Sequence, residues 1–221
     1  MSSTKKAGIL IFPGTNCNQD LKDVLENVYK LKVEELWHQS SFQPYHDIYF
    51  IAGGFSYGDY LRSGALAARS LSMKSLIEAN QKGKKIVGIC NGFQILTEAN
   101  LLPGALIKNT GLKHICKWVA LEGAGVWSNS IGKNYQLPVS HSEGNYILSE
   151  DMLSEIEDNG QIILRYAENI NGSQNNIAGI QNKSGNIIGL MPHPERAIYP
   201  QLDYSYSQEQ SGMIFFEKIF A

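Results

Sequence analysis

The chain opens its regular pattern with a short apolar run, Ala7–Phe12, that stops at Pro13-Gly14. Six residues is the length of a buried strand, too short for a buried helix. Leu21, Val24, Leu25 and Val28 follow at i, i+3, i+4 and i+7, the spacing of a helix with one core-facing stripe. Val33–Trp37 and Asp47–Ile51 read as the next strands. Ile51 runs directly into the glycine-rich turn AGGFSYGDY. Ala65–Gln81, rich in Ala, Leu, Met and Lys, predicts helix with a break near Ser70–Ser72. Lys85–Ile89 predicts a strand ending at Cys90, and Asn91–Asn100 a helix. Strands that alternate with helices specify a parallel sheet with helices packed on both faces.

The second half is less regular. Ile115–Leu121 is strand-like, and Gln136–Val139 leads into SHSEGNY. Ala178–Gln181 and Asn186–Met191 flank Asn-Lys-Ser-Gly, a hairpin pattern. Gly212–Phe220 predicts a closing helix. The fold class expected is α/β: one flavodoxin-like domain over residues 1–221, with a mostly parallel central sheet.

Composition narrows the classes. Hydrophobic residues make up 43% and charged residues 18% of 221 positions, which excludes a disordered chain. Nineteen basic against 21 acidic residues give net −2, so nothing draws the chain to nucleic acid or an anionic membrane. No apolar stretch approaches the roughly 20 residues of a spanning helix. The run after Lys5 and Lys6 ends too early for a secretory signal. Three cysteines without a Cys-x-x-Cys pair predict neither a zinc site nor a disulfide framework. A cytoplasmic location is expected.

Chemistry concentrates in GICNGFQ, Gly88–Gln94. A strand ends at Cys90 and a helix begins at once, with glycine two residues to either side. That is the spacing of a nucleophile elbow with cysteine in place of serine. The bend leaves no room for side chains at its flanks, and glycine removes the clash. The helix start favours thiolate over thiol, and the free backbone N–H of Asn91 can donate to an oxyanion. A buried structural cysteine between packing glycines is the alternative.

A thiolate acyl transfer needs a base. In MPHPER, His193 stands between Pro192 and Pro194, which favour an extended backbone. In an extended segment residues i and i+2 share a side, so Glu195 can hold the imidazole in its productive tautomer. In AGGFSYGDYLRSGA, the paired glycines after a strand bring backbone N–H groups close to a ligand. No Gly-Lys-Ser/Thr follows and Gly-x-Gly-x-x-Gly is absent, so a phosphate loop is disfavoured. The second oxyanion donor, Gly54 N–H opposite Asn91 N–H, is the better reading. A plain strand-to-helix turn is the alternative. Cys17 reads as structural and Cys116 as core. His38, His46 and His114 show no metal spacing, so no metal site is expected. His141 and Glu143 read as pocket or interface residues. Tyr199, Tyr204 and Tyr206 read as a partner-facing patch or as packing.

These pieces in this order resemble the class I (triad) glutamine amidotransferases. Most of that class carries proline after the paired glycines. The form GGFSYGDYLR, with GICNGFQ, SHSEGNY, IAGI and GLMPHPERA, is similar to the glutaminase subunits of phosphoribosylformylglycinamidine synthases from about Ala7 to Pro200. The resemblance implies Cys90 as the nucleophile forming a γ-glutamyl thioester, His193 as base and then acid, and Glu195 as its support. It implies Gly54 and Asn91 as oxyanion donors and Gln94 as a contact to bound glutamine. It further implies that ammonia passes to a synthetase large subunit, with a small accessory subunit in the complex. ATP and magnesium are expected on that partner and no cofactor in this chain. The product expected there is formylglycinamidine ribonucleotide, in purine biosynthesis. Ser142 stands where the family carries glycine, and Lys108, Gly111 and His114 where it carries Arg, Ser and Phe. A cysteine hydrolase or peptidase on the same scaffold, and a catalytically silent regulatory subunit, are the competing classes. The intact triad and the 193 − 90 = 103 residue separation of His from Cys favour the amidotransferase layout.

Overall fold

The computed structural model describes residues 4–129, 131, 135–199 and 211–221. Its first half follows the alternating pattern closely: β1 (Lys6–Ile11), α1 (Asn18–Asp23), β2 (Lys32–Trp37), β3 (Ile48–Ile51), α2 (Leu71–Gln81), β4 (Lys85–Ile89) and α3 (Asn91–Glu98). After α3 come β5 (Ala105–Ile107), β6 (Ile115–Gly123), β7 (Gln136–His141), β8 (Asn145–Ile147), α4 (Glu150–Asp158), β9 (Ile162–Tyr166), β10 (Ile177–Gln181), β11 (Ile187–Leu190) and α5 (Ser211–Phe220). The break expected near Ser70 is a cap. Ser70 is extended, its side chain accepts from Met73 N–H, and a 3-10 turn at Ala67–Arg69 precedes it. The stripe after Asn18 begins as α1 and continues as one π turn, Val24–Val28, which keeps Val24 and Leu25 buried.

Nine strands form one sheet in the order β2-β1-β3-β4-β11-β10-β9-β6-β7. The run from β2 to β11 is parallel, as the alternation requires. Its middle strands are buried on both faces; β3, Ile-Tyr-Phe-Ile, has no exposed position. Helices cover both sides. The Ile51 side chain meets Gly92 of α3, while its neighbour Phe50 points the other way, onto Phe216 of α5. Beyond β11 the pairings turn antiparallel, beginning with the β10–β11 hairpin expected around Asn-Lys-Ser-Gly.

This antiparallel half curls back on the parallel half. His193 N–H, just after β11, donates to Pro138 O of β7 at 2.9 Å. The last strand in the order is thereby delivered to the carboxyl ends of β4 and β11, where the chemistry-bearing residues lie. β6 is placed as expected, but Cys116 on it is exposed. In this stretch the buried positions are Val119 and Leu121, so strand alternation turns Cys116 away from the core.

Candidate active site

β4 pairs with β3 on one side and β11 on the other, so its end is fixed from both flanks. Cys90 follows immediately and caps α3 with φ 52° and ψ −105°, a left-handed region that a side-chain-bearing residue enters only under constraint. Its N–H donates to Leu190 O at 2.7 Å, which anchors the bend. The flanking glycines are sterically required. A Cβ on Gly92 would lie 2.1 Å from the Ile51 carbonyl oxygen, and one on Gly88 2.6 Å from the Gly92 carbonyl. The Cys90 thiol is turned toward β7 and donates to Ser140 O at 3.6 Å.

His193 and Glu195 are both buried, and Nδ1 of His193 lies 2.6 Å from Glu195 Oε1. The backbone between them is not extended as the prolines suggested. Pro194–Arg196 is a 3-10 turn, with Pro194 at its first position, where a missing N–H is harmless. The turn brings Glu195 to the imidazole from residue i+2 all the same. Nε2 of His193 and Oε2 of Glu195 are buried without a hydrogen-bond partner. Burial by itself opposes charge on His193. The Glu195 carboxylate and the sulfurs of Cys90 and Cys17 outweigh it, and the imidazole pKa stands well above 6.5.

The loop after β3 passes over this pair. Gly54 has φ 153° and packs against the Gly14–Asn16 backbone, where a Cβ would lie 2.6 Å from Gly14 O. Asn91 Oδ1 accepts from Ser56 N–H at 3.1 Å, so the helix start and the glycine loop are tied together. That tie sets both proposed oxyanion donors relative to Cys90. Gln94 is used differently from the expectation. Its amide accepts from Asn91 Nδ2 and donates to Glu143 O, and it does not line the cleft. In this state it is a brace between α3 and the β7–β8 turn.

The cleft is lined by Asn16, Cys17, Gly54, Phe55, Cys90, Ser140, His193 and Arg196, which unites the predicted nucleophile, base and glycine. Cys17 was expected to be structural; it lies in this cleft, with Sγ close to His193 and Glu195. Arg196, whose guanidinium pairs with Asp20 at 2.9 Å, places a cation on the rim. From the sequence, Cys17 reads as structural and Arg196 is not singled out, although Arg196 adjoins Glu195 in the same motif.

A polar network lies behind the cleft. Asn109 Nδ2 donates to Lys113 O and His141 O, so its Oδ1 must be the acceptor for Gly144 N–H and for His141 Nδ1 at 3.2 Å. His141 therefore carries its proton on Nδ1. Burial, with the nearby His193 and His114, pushes its pKa down to about 4, so it is neutral beside a charged His193. Glu143 accepts from Ser63 N–H, and His114 bridges Ser140 and Ser142 through its two ring nitrogens. Tyr199 is half exposed and donates to Asp23 Oδ2; Tyr204 and Tyr206 lie outside the described residues.

Residues 4–220 match the family model of the CobB/CobQ-like glutamine amidotransferase domain. The chain is 50% identical over 199 residues to phosphoribosylformylglycinamidine synthase subunit PurQ of Zymomonas mobilis, covering 87% of this chain and 90% of that one. Against the same-named subunit of Leptospira interrogans it is 47% identical over 201 residues, covering 88% and 92%. The PurLQS structure from Thermotoga maritima contains a chain that aligns with a TM-score of 0.83 and 36% identity over 98% of both. An elbow cysteine, a carboxylate-backed histidine and nearly full-length likeness agree: the chain belongs to the CobB/CobQ-like glutamine amidotransferase family, in its PurQ branch.

Proposed function

We propose that this chain is the glutaminase subunit of a phosphoribosylformylglycinamidine synthase, hydrolysing glutamine and passing ammonia to a synthetase subunit in purine biosynthesis. The observation that carries the reading is Cys90, held at φ 52° at a helix start in one cleft with the His193–Glu195 pair at 2.6 Å.

The residues divide the work as follows. With the proton resting on His193, the Cys90 sulfur attacks the side-chain amide carbon of glutamine. The oxygen gains charge where Gly54 N–H and Asn91 N–H converge, in a site where a fixed donor is worth roughly 10²–10³ in rate. His193 gives its proton to the departing nitrogen, and ammonia leaves behind a γ-glutamyl thioester. The now neutral His193 takes a proton from water, which opens the thioester and releases glutamate. Glu195 holds Nδ1 throughout and stabilises each imidazolium. Arg196 on the rim is suited to the α-carboxylate of the substrate.

The partner carries the remaining chemistry in this proposal. A synthetase large subunit, with a small accessory subunit, aminates formylglycinamide ribonucleotide to the amidine. ATP and magnesium bind there, since this chain carries no phosphate-binding glycine motif. The glutaminase steps as proposed use only the side chains and backbone of this chain.

The test is Cys90→Ala in the assembled complex. Glutamine-dependent amidine formation should vanish, while high ammonia still supports it. Glutamine-dependent turnover at the native rate would refute Cys90 as nucleophile.

A further inference from the structure

Cys17 is unused by this mechanism, yet it stands in the middle of the site. One ligand atom each from Cys17, His193 and Glu195 lies within 4.8 Å of the others, and all three residues are buried. Cys90 lies outside that group, its thiol on Ser140 O, but lines the same cleft. The space over Gly53 is shared by Cys17 Sγ, His193 Cε1 and Cys90 Cβ, which a Cβ there would meet at 3.0, 2.7 and 3.5 Å. His193 Nε2 is buried without a hydrogen-bond partner, while Nδ1 is held by Glu195. Two thiols and a bare imidazole nitrogen, with a carboxylate fixing the other ring nitrogen, are the donors a zinc ion takes.

We propose that Cys17 Sγ, Cys90 Sγ and His193 Nε2 form a site for Zn²⁺ that holds the glutaminase off. Glu195 acts on the metal through His193, the role carboxylates have behind ligating histidines. Tetrahedral zinc keeps its ligand atoms about 3.5 Å apart, so Cys17 and His193, whose ligand atoms lie within 4.8 Å, close by no more than roughly 1.3 Å, and Cys90 Sγ turns from Ser140 O toward them. Rotation of a cysteine side chain supplies that movement. The two thiolates balance the metal's charge, and the protons held by the sulfurs and the imidazole leave to solvent. The fourth position is open to water from the cleft. Occupancy removes the nucleophile and the base together, so inhibition is complete while the metal stays and is reversed by a chelator. Chain positions 17, 90 and 193 have no metal-ligand spacing; the fold alone brings them together.

The probe is Co²⁺ added to the full chain, followed by displacement with Zn²⁺. One equivalent of Co²⁺ should give thiolate-to-cobalt charge-transfer absorption, reduced to about half in Cys17→Ser and again in Cys90→Ser. Zn²⁺ should also protect Cys17 and Cys90 of the native chain from iodoacetamide while exposed Cys116 still reacts, a readout that needs no variant. In the assembled complex, Zn²⁺ should stop glutamate release reversibly but leave ammonia-dependent synthesis intact. Because loss of an outer-shell partner already weakens metal sites about 10–100-fold, Cys17→Ser should need at least about tenfold more Zn²⁺ relative to its own metal-free rate. A cobalt spectrum unchanged in Cys17→Ser, or Cys17 alkylated equally with and without Zn²⁺, would overturn the site without touching the assignment of the glutaminase reaction.

Discussion

Two buried histidines share the site and carry opposite charge states. His193 faces a carboxylate and two sulfurs and holds its proton well above 6.5, whereas His141, buried on an amide oxygen, is pushed down to about 4. By linkage, the raised His193 value stabilises the fold fully below the ordinary imidazole pKa, and the stabilisation is lost as pH rises through the folded value. At about pH 5 to 6.5, below the raised His193 value and above that of His141, imidazole NMR signals should therefore show His193 charged and His141 neutral. Glu195→Gln should pull the His193 midpoint down and leave His141 neutral. Loss of the base removes on the order of 10²–10⁴ in rate, so His193→Ala should damage glutamine hydrolysis more than Glu195→Gln. Thioester formation at the native rate in His193→Ala would move the base elsewhere. Residues read best from the chain where their chemistry is local. Cys90 announces itself because the strand, the glycines and the helix are contiguous. Cys17 does not, because it, Cys90 and His193 arrive from three separate strand ends.

Among the elements, the segment after β3 departs furthest from ordinary backbone. Tyr57, Asp59 and Leu61 all have positive φ without being glycine, and Ser56 Oγ and Asp59 Oδ1 are buried without partners. Such conformations each cost on the order of 1–3 kcal/mol and persist only where their surroundings enforce them. Here Tyr57 donates to His38 Nδ1 or accepts from it, at 2.5 Å, and its N–H donates to Pro13 O. Burial raises the Asp59 carboxyl to about 6, Glu143 adding to the effect and Ser63 opposing it. A raised carboxyl pKa favours the fold at acid pH, and the benefit disappears as pH rises through that value. Asp59→Asn should accordingly raise the melting temperature at about pH 7.5, with the gain shrinking toward about pH 4. An unchanged or lower melting temperature at the higher pH would contradict this. The inner parallel strands were legible because full burial leaves continuous apolar runs. β5 and β8 were not, since three residues carry no period. α4 hides its short stripe, Met152, Leu153 and Ile156, among acidic residues, although Ser149 caps it. β9, Ile162–Tyr166, has the apolar composition of a buried strand but follows the unread α4.

At the scale of the whole molecule, the strained loop opens onto the surface. Tyr60 is 75% and Leu61 85% exposed, and Phe55 beside them lines the cleft. A partner that covers these side chains also acts on the loop that carries Gly54. Docking can then select one peptide orientation and couple the two sites. Glutamate release should rise at least about tenfold when the purified subunits, ATP and the ribonucleotide are added to this chain. Equal turnover with and without them would remove the coupling and leave the amidotransferase assignment standing. No helix among the described residues is long and apolar enough to cross a membrane. The curl that returns β7 to the catalytic loop has a second effect, on self-association. A sheet has two rims, and each is a template on which another chain can add a strand. On β7, Pro138 has no N–H to offer and its carbonyl is taken by His193. The opposite rim, β2, exposes Lys32, Glu34 and Glu35, charges that resist an incoming strand. The same fold-back that joins β7 to the active site thus blunts one rim of the nine-stranded sheet against edge-to-edge pairing with another copy.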